Sequence, residues 1–399
     1  MILWAIILFA TIPFARTIQE PITQALGRSA FGYIVITVIV LVVFAAVFQL
    51  RHQWYLRKAN VLWIVACGAV LVAYTIRLWR NPVEAIHFIQ YGVMAGLFFY
   101  AFSWRHHNKL IYIAVVLATA IVGVVDEAIQ WLTPKRVWGL SDITVNTLAA
   151  IVIAIGIAKG FQPTAVNSPM DRASLSLVVR LMMALLFLLI LSFANTPAAI
   201  QGYSQKFPVL SFLEQGSHVM VEFGYAYRDD ETGLFRSRFS PQEIRAQDRR
   251  RAVDAAAKLD AAPDFADYLE FIQRYSPFSD PFLHEMRVHL NRRDHYLWLL
   301  RQEHRGSGAE RRQYLTNAWF ENRIVEKYFS ETLAKSSFLL PAATVEWLGE
   351  QVDTDVYHES TVSKHLITRF NRTQLLLLLT LMLLLCLMVD VYVRRKTSP

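Results

Sequence analysis

Cysteine is scarce in this chain: there are two among 399 residues, Cys67 and Cys386. Both lie inside apolar runs, where packing is the ordinary role of a thiol, and neither has the near neighbour that a thiolate zinc site needs. That scarcity excludes a disulfide framework and a cysteine-based metal centre. Charge is also scarce, at 18% of residues, against 54% hydrophobic residues and a mean hydropathy of +0.31. An ordinary soluble protein is excluded by that balance. The intermixed Arg, Asp and Glu between 195 and 371 equally exclude a chain wholly immersed in lipid. No low-complexity tract and no internal repeat of obvious period is present, and no pair of related halves marks an alternating-access transporter.

The formal net charge is +8, unevenly spread. Residues 195–371 are close to neutral, and the positive excess flanks the apolar runs. This fits topology control and lipid headgroups better than nucleic acid, so membrane lipids are the expected partners and nucleic acid is not.

What the chain does contain is eight apolar stretches. Met1–Ala15 is short for a span, which needs about 20 residues. It lacks the positive n-region of a signal peptide, so it reads as an uncleaved span. Phe31–Leu50, Asn60–Leu78, a stretch from Pro82 to about Trp104, Lys109–Leu132, Asp142–Lys159, Val178–Phe193 and Gln374–Val393 follow. Pro82 suits a first turn, where its missing N–H costs nothing. Ser141 or Asp142 suits an N-cap.

Lys and Arg favour cytoplasmic loops. Arg394-Arg395-Lys396 put the C-terminus there. Counting back through eight spans adds Arg51/Arg57/Lys58, Arg105/Lys109 and Lys159/Arg172/Arg180. The opposing loops carry pairs: Arg16/Arg28, Arg77/Arg80 and Lys135/Arg136. The expectation is a multi-pass protein of a bacterial cytoplasmic (inner) membrane, both termini cytoplasmic, with 195–371 extracytoplasmic. His87 then opens an inward span, Asp126 closes an outward one and Asp142 opens the next. All three fall within about two helical turns of the outer face.

Residues 195–371 read as helical. Ser240-Pro241-Gln242-Glu243 offers a cap, Pro at N1 and Glu at N3, and Arg245–Leu259 is a good helix former. Pro263, Pro277, Pro281 and Gly306-Ser307-Gly308 punctuate further helices. Leu283–Arg305 and Gln313–Phe329 place apolar and aromatic residues at helical spacing, among them Tyr314, Phe320 and Tyr328 as core. His284, His289, His295 and His304 are spaced by five, six and nine, not by the four that pairs ligands on one helix face. A protein partner is the functional alternative for this segment.

The informative residues lie between Glu84 and Asn146. His87 and Tyr91 are one turn apart. Asp126, Glu127 and Gln130 close one span. Arg136 sits in the loop, and Asp142 and Asn146 open the next span. Ionisable groups cost about 2.5–3.5 kcal/mol each at the centre of a membrane helix on insertion scales, so clusters there are functional or tightly paired. His87/Tyr91 and Asp142/Asn146 share faces at i, i+4, and Glu127 and Gln130 meet at i, i+3. Arg136 is the evident partner for a carboxylate, its planar fork suiting bidentate pairing. An acid beside a His is what general acid–base chemistry needs. A salt-bridge and hydrogen-bond knot pinning three helices is the competing reading. A zinc site from His87 with Asp126 or Glu127 lacks further ligands.

In this order the residues resemble the VanZ-like family of bacterial membrane proteins. That family shows His-x-x-x-Tyr on one span, Asp-Glu-x-x-Gln closing the next, an Arg in the loop and Asp-x-x-x-Asn opening the last. The resemblance covers about Asn60 to Lys159, roughly a quarter of the chain. Glu84 stands where the family often has Lys, and Thr147 to Ala150 lack the usual glycine. The resemblance implies a cell-envelope protein of an antibiotic-resistance-related family, its namesake being linked to glycopeptide resistance.

The expected fold is an all-α polytopic bundle of about eight spans. Two lie in 1–59, four in a core at 60–160, one at 177–194 and one at 374–393, with an extracytoplasmic helical domain at 195–371. Asp126, Glu127 and His87 are the candidate catalytic residues. Arg136, Gln130, Asp142, Asn146 and Tyr91 are the candidate substrate-binding residues, for an envelope lipid or glycan precursor. No metal or cofactor is expected. A scaffold with a structural polar cluster, a transporter, and a sensor signalling through a partner chain are the alternatives.

Overall fold

The computed structural model describes residues 1–395 except 13, 52–57, 80, 134–135, 216–218, 303–307 and 354–356, and for 15, 16, 18 and 215 the backbone alone. Arg57, Arg80, Lys135, His304, Gly306, Ser307 and Lys396, used in the sequence reading, therefore lie outside the described residues. The chain divides into two compact units, Met1–Ser192 with Leu376–Pro399, and Phe193–Leu375.

The first unit opens with α1 (Ile2–Thr11) and α2 (Ala15–Leu26). Among the described residues, seven helices are long and apolar enough to cross a membrane. They are α3 (Ala30–Gln49), α4 (Lys58–Arg77), α5 (Ile86–Ser103, entered through a 3-10 turn at Pro82–Ala85), α6 (Leu110–Trp131), α7 (Leu140–Ile155), α8 (Arg172–Ala194) and the C-terminal helix (Arg372–Arg395). The stretch read as the first of eight spans is instead a ten-residue helix, about 15 Å long against a hydrocarbon core of about 30 Å. The apolar run is simply too short, and α2 behind it carries Gln19, Glu20 and Gln24.

The helix α6 is the centre of this unit: 61% of its apolar window is buried, against 39% or less for the other six. Small residues let its neighbours close in, with Ala95, Ala149 and Ala150 all fully buried. The start of α7 differs from the cap expected at Ser141 or Asp142. The N–H groups of Asp142 and Ile143 donate to the Gly139 carbonyl (3.2 and 3.3 Å), so Gly139 is the cap. Asp142 then stands in the first turn, where the helix dipole favours an acid. At its far end α7 runs on as a π-helical turn, Gly156–Phe161. The Asn60 amide donates to the Lys159 and Gly160 carbonyls there (3.2 and 2.9 Å), which satisfies backbone that the turn frees.

Two further polar contacts tie the far ends together. The Asn108 amide donates to Asp171 (2.6 Å) and Ser174 (2.8 Å), joining α6 to α8. Asp390 of the C-terminal helix accepts from Ser176 of α8 at 2.6 Å. Cys67 and Cys386 are half-buried, not fully buried packing residues.

The second unit is mainly helical: α9 (Pro197–Ser204), α10 (Phe212–Gln215), α11 (Pro241–Asp260), α12 (Tyr268–Arg274), α13 (Pro281–Gln302), α14 (Gly308–Tyr328), α15 (Ser330–Leu333) and α16 (Ala342–Gln351). It is not all-α. An antiparallel hairpin, β1 (Tyr225–Asp229) and β2 (Gly233–Ser237), pairs Tyr227 with Phe235 across the strands. Those two rings stack at 4.6 Å and enter a core with Ile244, Phe282, Leu290, Ile324 and Phe329. Phe320 and Tyr328 are buried as expected, while Tyr314 is half-buried. The described histidines of α13 serve separate contacts. His289 meets Glu321 at 2.6 Å, His284 the Tyr275 carbonyl at 3.1 Å, and His295 stacks on Phe265.

Candidate functional site

One end of the first unit gathers the polar residues. Three helices supply them: His87 and Tyr91 from the first turns of α5, Asp126, Glu127 and Gln130 from the last turns of α6, and Asp142 and Asn146 from the first turns of α7. Arg136 comes from the α6–α7 connection. Asp126, Glu127, Gln130, Tyr91 and Asn146 are all 5% exposed or less. The eight residues singled out from the sequence thus share one layer.

Gln130 is the hub. Its amide nitrogen donates to Asp126 Oδ2 (3.1 Å) and to Glu127 Oε1 (2.8 Å), and its carbonyl oxygen accepts from Arg136 Nη2. The second Glu127 oxygen accepts from the Gly139 backbone N–H at 2.8 Å. Arg136 was expected to pair directly with a carboxylate, yet no ion pair of Arg136 occurs among the described residues. A side-chain amide presents both a donor and an acceptor, so Gln130 can face two carboxylates and a guanidinium at once. The carboxylates reach Arg136 through it.

The other half of the layer is less complete. The His87 and Tyr91 rings stack at 5.9 Å. Tyr91 neighbours Asp126, and His87 neighbours Asn146. Even so, Tyr91 Oη, His87 Nδ1 and both polar atoms of the Asn146 side chain are buried without a hydrogen bond of ordinary geometry. Asn146 packs against Gly123, where an added Cβ would stand 3.3 Å from Asn146 Cβ and Nδ2. Glycine at 123 is what lets α7 bring that amide so close to α6.

A cleft of about 260 Å³ opens over this layer. His87, Gln90, Asp126, Gln130 and Arg136 form its polar lining, and Leu8, Ile12, Phe31 and Ile86 its apolar walls. Thr11 and Gln19 also line it, so α1 and α2 help to build the site. Trp4 Nε1 donates to the Gln90 carbonyl at 3.1 Å, which holds α1 against α5. The sequence reading missed Thr11, Gln19 and Gln90. Thr11 and Gln19, polar residues flanking a run too short to span, were the available signal.

No family model, curated protein or solved structure matches this chain.

The site's chemistry is therefore read from its own atoms. Tyr91 and Asn146 do not line the cleft; Tyr91 stands behind Asp126 and Asn146 behind His87. Asp142 contacts Ser141 at 3.4 Å and is an electrostatic neighbour of Glu127 and Glu84. Glu127, with a donor on each oxygen and no exposure, is positioned to hold the α6–α7 connection. Asp126, His87 and Arg136 face the cleft and can meet a ligand.

Proposed function

We propose that this is a multi-pass protein of the bacterial inner membrane. Its cleft binds the polar part of an envelope lipid or glycan precursor, with Asp126 and His87 placed to exchange a proton with it. The observation that carries the reading is a carboxylate, an imidazole and a guanidinium lining one cleft at the end of an apolar helix bundle. The VanZ-like resemblance belongs to this proposal and supplies the link to the cell envelope. Glu127 and Gln130 serve the site as positioning residues in this reading, because their hydrogen bonds are already made within the protein.

The orientation follows from charge. Arg394 and Arg395 end the C-terminal helix, and Arg172 and Arg180 lie in the first half of α8. With these in the cytoplasm, the segment between those helices is extracytoplasmic, and the cleft opens at the outer leaflet. Seven spans in place of eight leave α1 and α2 on that same outer side.

The test uses the full chain purified with a total lipid extract and read by native mass spectrometry. Wild type retains lipid that Asp126→Asn and Arg136→Gln lose, while all three show the same helix content and unfolding midpoint. Equal lipid retention by the three proteins would rule the reading out.

A further inference from the structure

We propose that the cleft seats the head of an amino-phospholipid, its primary ammonium on Asp126 and its phosphate on Arg136. This rests on the cleft being a headgroup site and goes further by naming the chemistry of the head.

The two charged groups of the cleft carry the argument. The Arg136 side chain commits one N–H to Gln130 and has no other hydrogen bond or ion pair among the described residues. A guanidinium has five N–H donors in a planar fork suited to phosphate. Asp126 also faces the cleft, with Gln130 donating to one of its oxygens. Tyr91 stands against Asp126 from behind the cleft. A primary ammonium brings three donors, enough for the carboxylate and a neighbouring neutral acceptor such as the imidazole of His87.

Charge balance sets the polarity of the head. Four carboxylates stand in or beside this layer: Asp126, Glu127, Asp142 and Glu84. Among the described residues, Arg136 is the one guanidinium or ammonium that lines the cleft. A head that is only anionic would set a like charge against Asp126, the carboxylate among the described residues that lines the cleft. A zwitterion with its cationic end inward and its phosphate toward Arg136 complements both. Gln130 bonds to Asp126 and Arg136 together, which spaces the two charges by one side-chain amide.

Size points the same way. Small-molecule sites run about 300–1,000 Å³, and this cleft holds about 260 Å³. That suits a head of a few heavy atoms seated within the cleft. Leu8, Ile12, Phe31 and Ile86 give the walls an apolar surface for the glycerol backbone and the first methylenes.

The shared chemistry is an aminoalkyl phosphate, borne by a lipid or free as phosphoethanolamine. The experiment uses the delipidated full chain and native mass spectrometry. Phosphatidylethanolamine, phosphatidylcholine and phosphatidylglycerol with identical acyl chains are offered in equal amounts. Wild type should retain the ethanolamine lipid over the choline lipid by about tenfold or more, because a trimethylated nitrogen keeps the charge and loses the donors. This comparison changes the ligand alone, so misfolding of a variant cannot produce it. Asp126→Asn should abolish the discrimination, and Arg136→Gln should lower retention of the ethanolamine lipid by a similar factor. Displacement of the lipid by millimolar free phosphoethanolamine supports the proposal and assigns recognition to the head alone. Absence of displacement, with the discrimination intact, supports it with the chains contributing. Equal retention of ethanolamine and choline lipids overturns it. So does an Asp126-dependent preference for phosphatidylglycerol, which leaves the headgroup site standing with a different ligand. Retention independent of both Asp126 and Arg136 overturns the inference and the site together.

Discussion

Glu222 and His284 show how single buried groups make the second unit acid-sensitive. Burial alone would push the Glu222 carboxyl up. Arg238, which grips it with two bonds of 2.8 and 3.0 Å, and His365 at 2.6 Å more than reverse this, to about 2. Burial and then the Arg238 charge push His284 down to about 4, against the opposing bond to the Tyr275 carbonyl. Both folded values lie below their ordinary ones of 4.5 and 6.5. In each case the unfolded chain binds the proton first, so stability falls as pH falls. The His284 contribution is full above pH 6.5 and lost toward pH 4; the Glu222 contribution is full above pH 4.5 and lost toward pH 2. Each is worth up to roughly 3 kcal/mol, from about 1.4 kcal/mol per pKa unit. Urea unfolding of the full chain in detergent, followed through its second-unit tryptophans, should show a midpoint that drops on both limbs. In His284→Gln the upper limb should flatten, while the lower limb stays. A pH-independent midpoint between 7 and 3 would contradict both assignments.

At the scale of elements, the legible parts were those with local chemistry. Ser240-Pro241-Gln242-Glu243 forms a full capping box at the start of α11: Glu243 N–H donates to Ser240 Oγ (3.4 Å), and Ser240 N–H to Glu243 Oε2 (2.7 Å). Ser240→Ala should destabilise the second unit by about 1 kcal/mol, measurable as a lower urea midpoint, and Ser240→Asp should restore most of it. The hairpin was overlooked because its strands are five residues long and flanked by charge, below the length at which alternation stands out. Its turn signal was nonetheless present. Gly233, at φ +69°, closes a three-residue loop, and an added Cβ would meet the His358 carbonyl oxygen at 2.5 Å. Gly233→Ala should therefore cost more than the lost cap, since both the backbone conformation and the close contact oppose it. In the first unit the positions of His87, Asp126 and Asn146 could be read from spacing. The Gln130 relay could not, because spacing does not tell which of several polar groups an arginine will choose. Nor could the part played by α1, which depends on contacts 86 residues apart, Trp4 to Gln90.

For the whole molecule, the choice between the seven helices long enough to cross and the eight spans expected decides one thing, the side on which the chain begins. Apolar composition and flanking charge made the bundle legible, but Met1–Ala15 lies near the length threshold, and length decides whether a helix crosses. The site fits either count. Leu8, Thr11 and Ile12 line the same cleft as Asp126 and Arg136, so the end of α1 lies at the layer where α6 finishes and α7 starts. Counting from there, α3 begins on the cleft's side, and the α6–α7 connection shares it. A full chain with Cys67 and Cys386 replaced by alanine can report this. A membrane-impermeant maleimide added to spheroplasts should label Val137→Cys, in the α6–α7 connection, and Asp230→Cys, in the hairpin loop. It should reach Trp104→Cys, at the opposite end of α5, only after lysis. An epitope fused ahead of Met1 should be accessible in the same intact spheroplasts as Val137→Cys. An epitope that needs lysis while Val137→Cys does not would restore the eighth crossing.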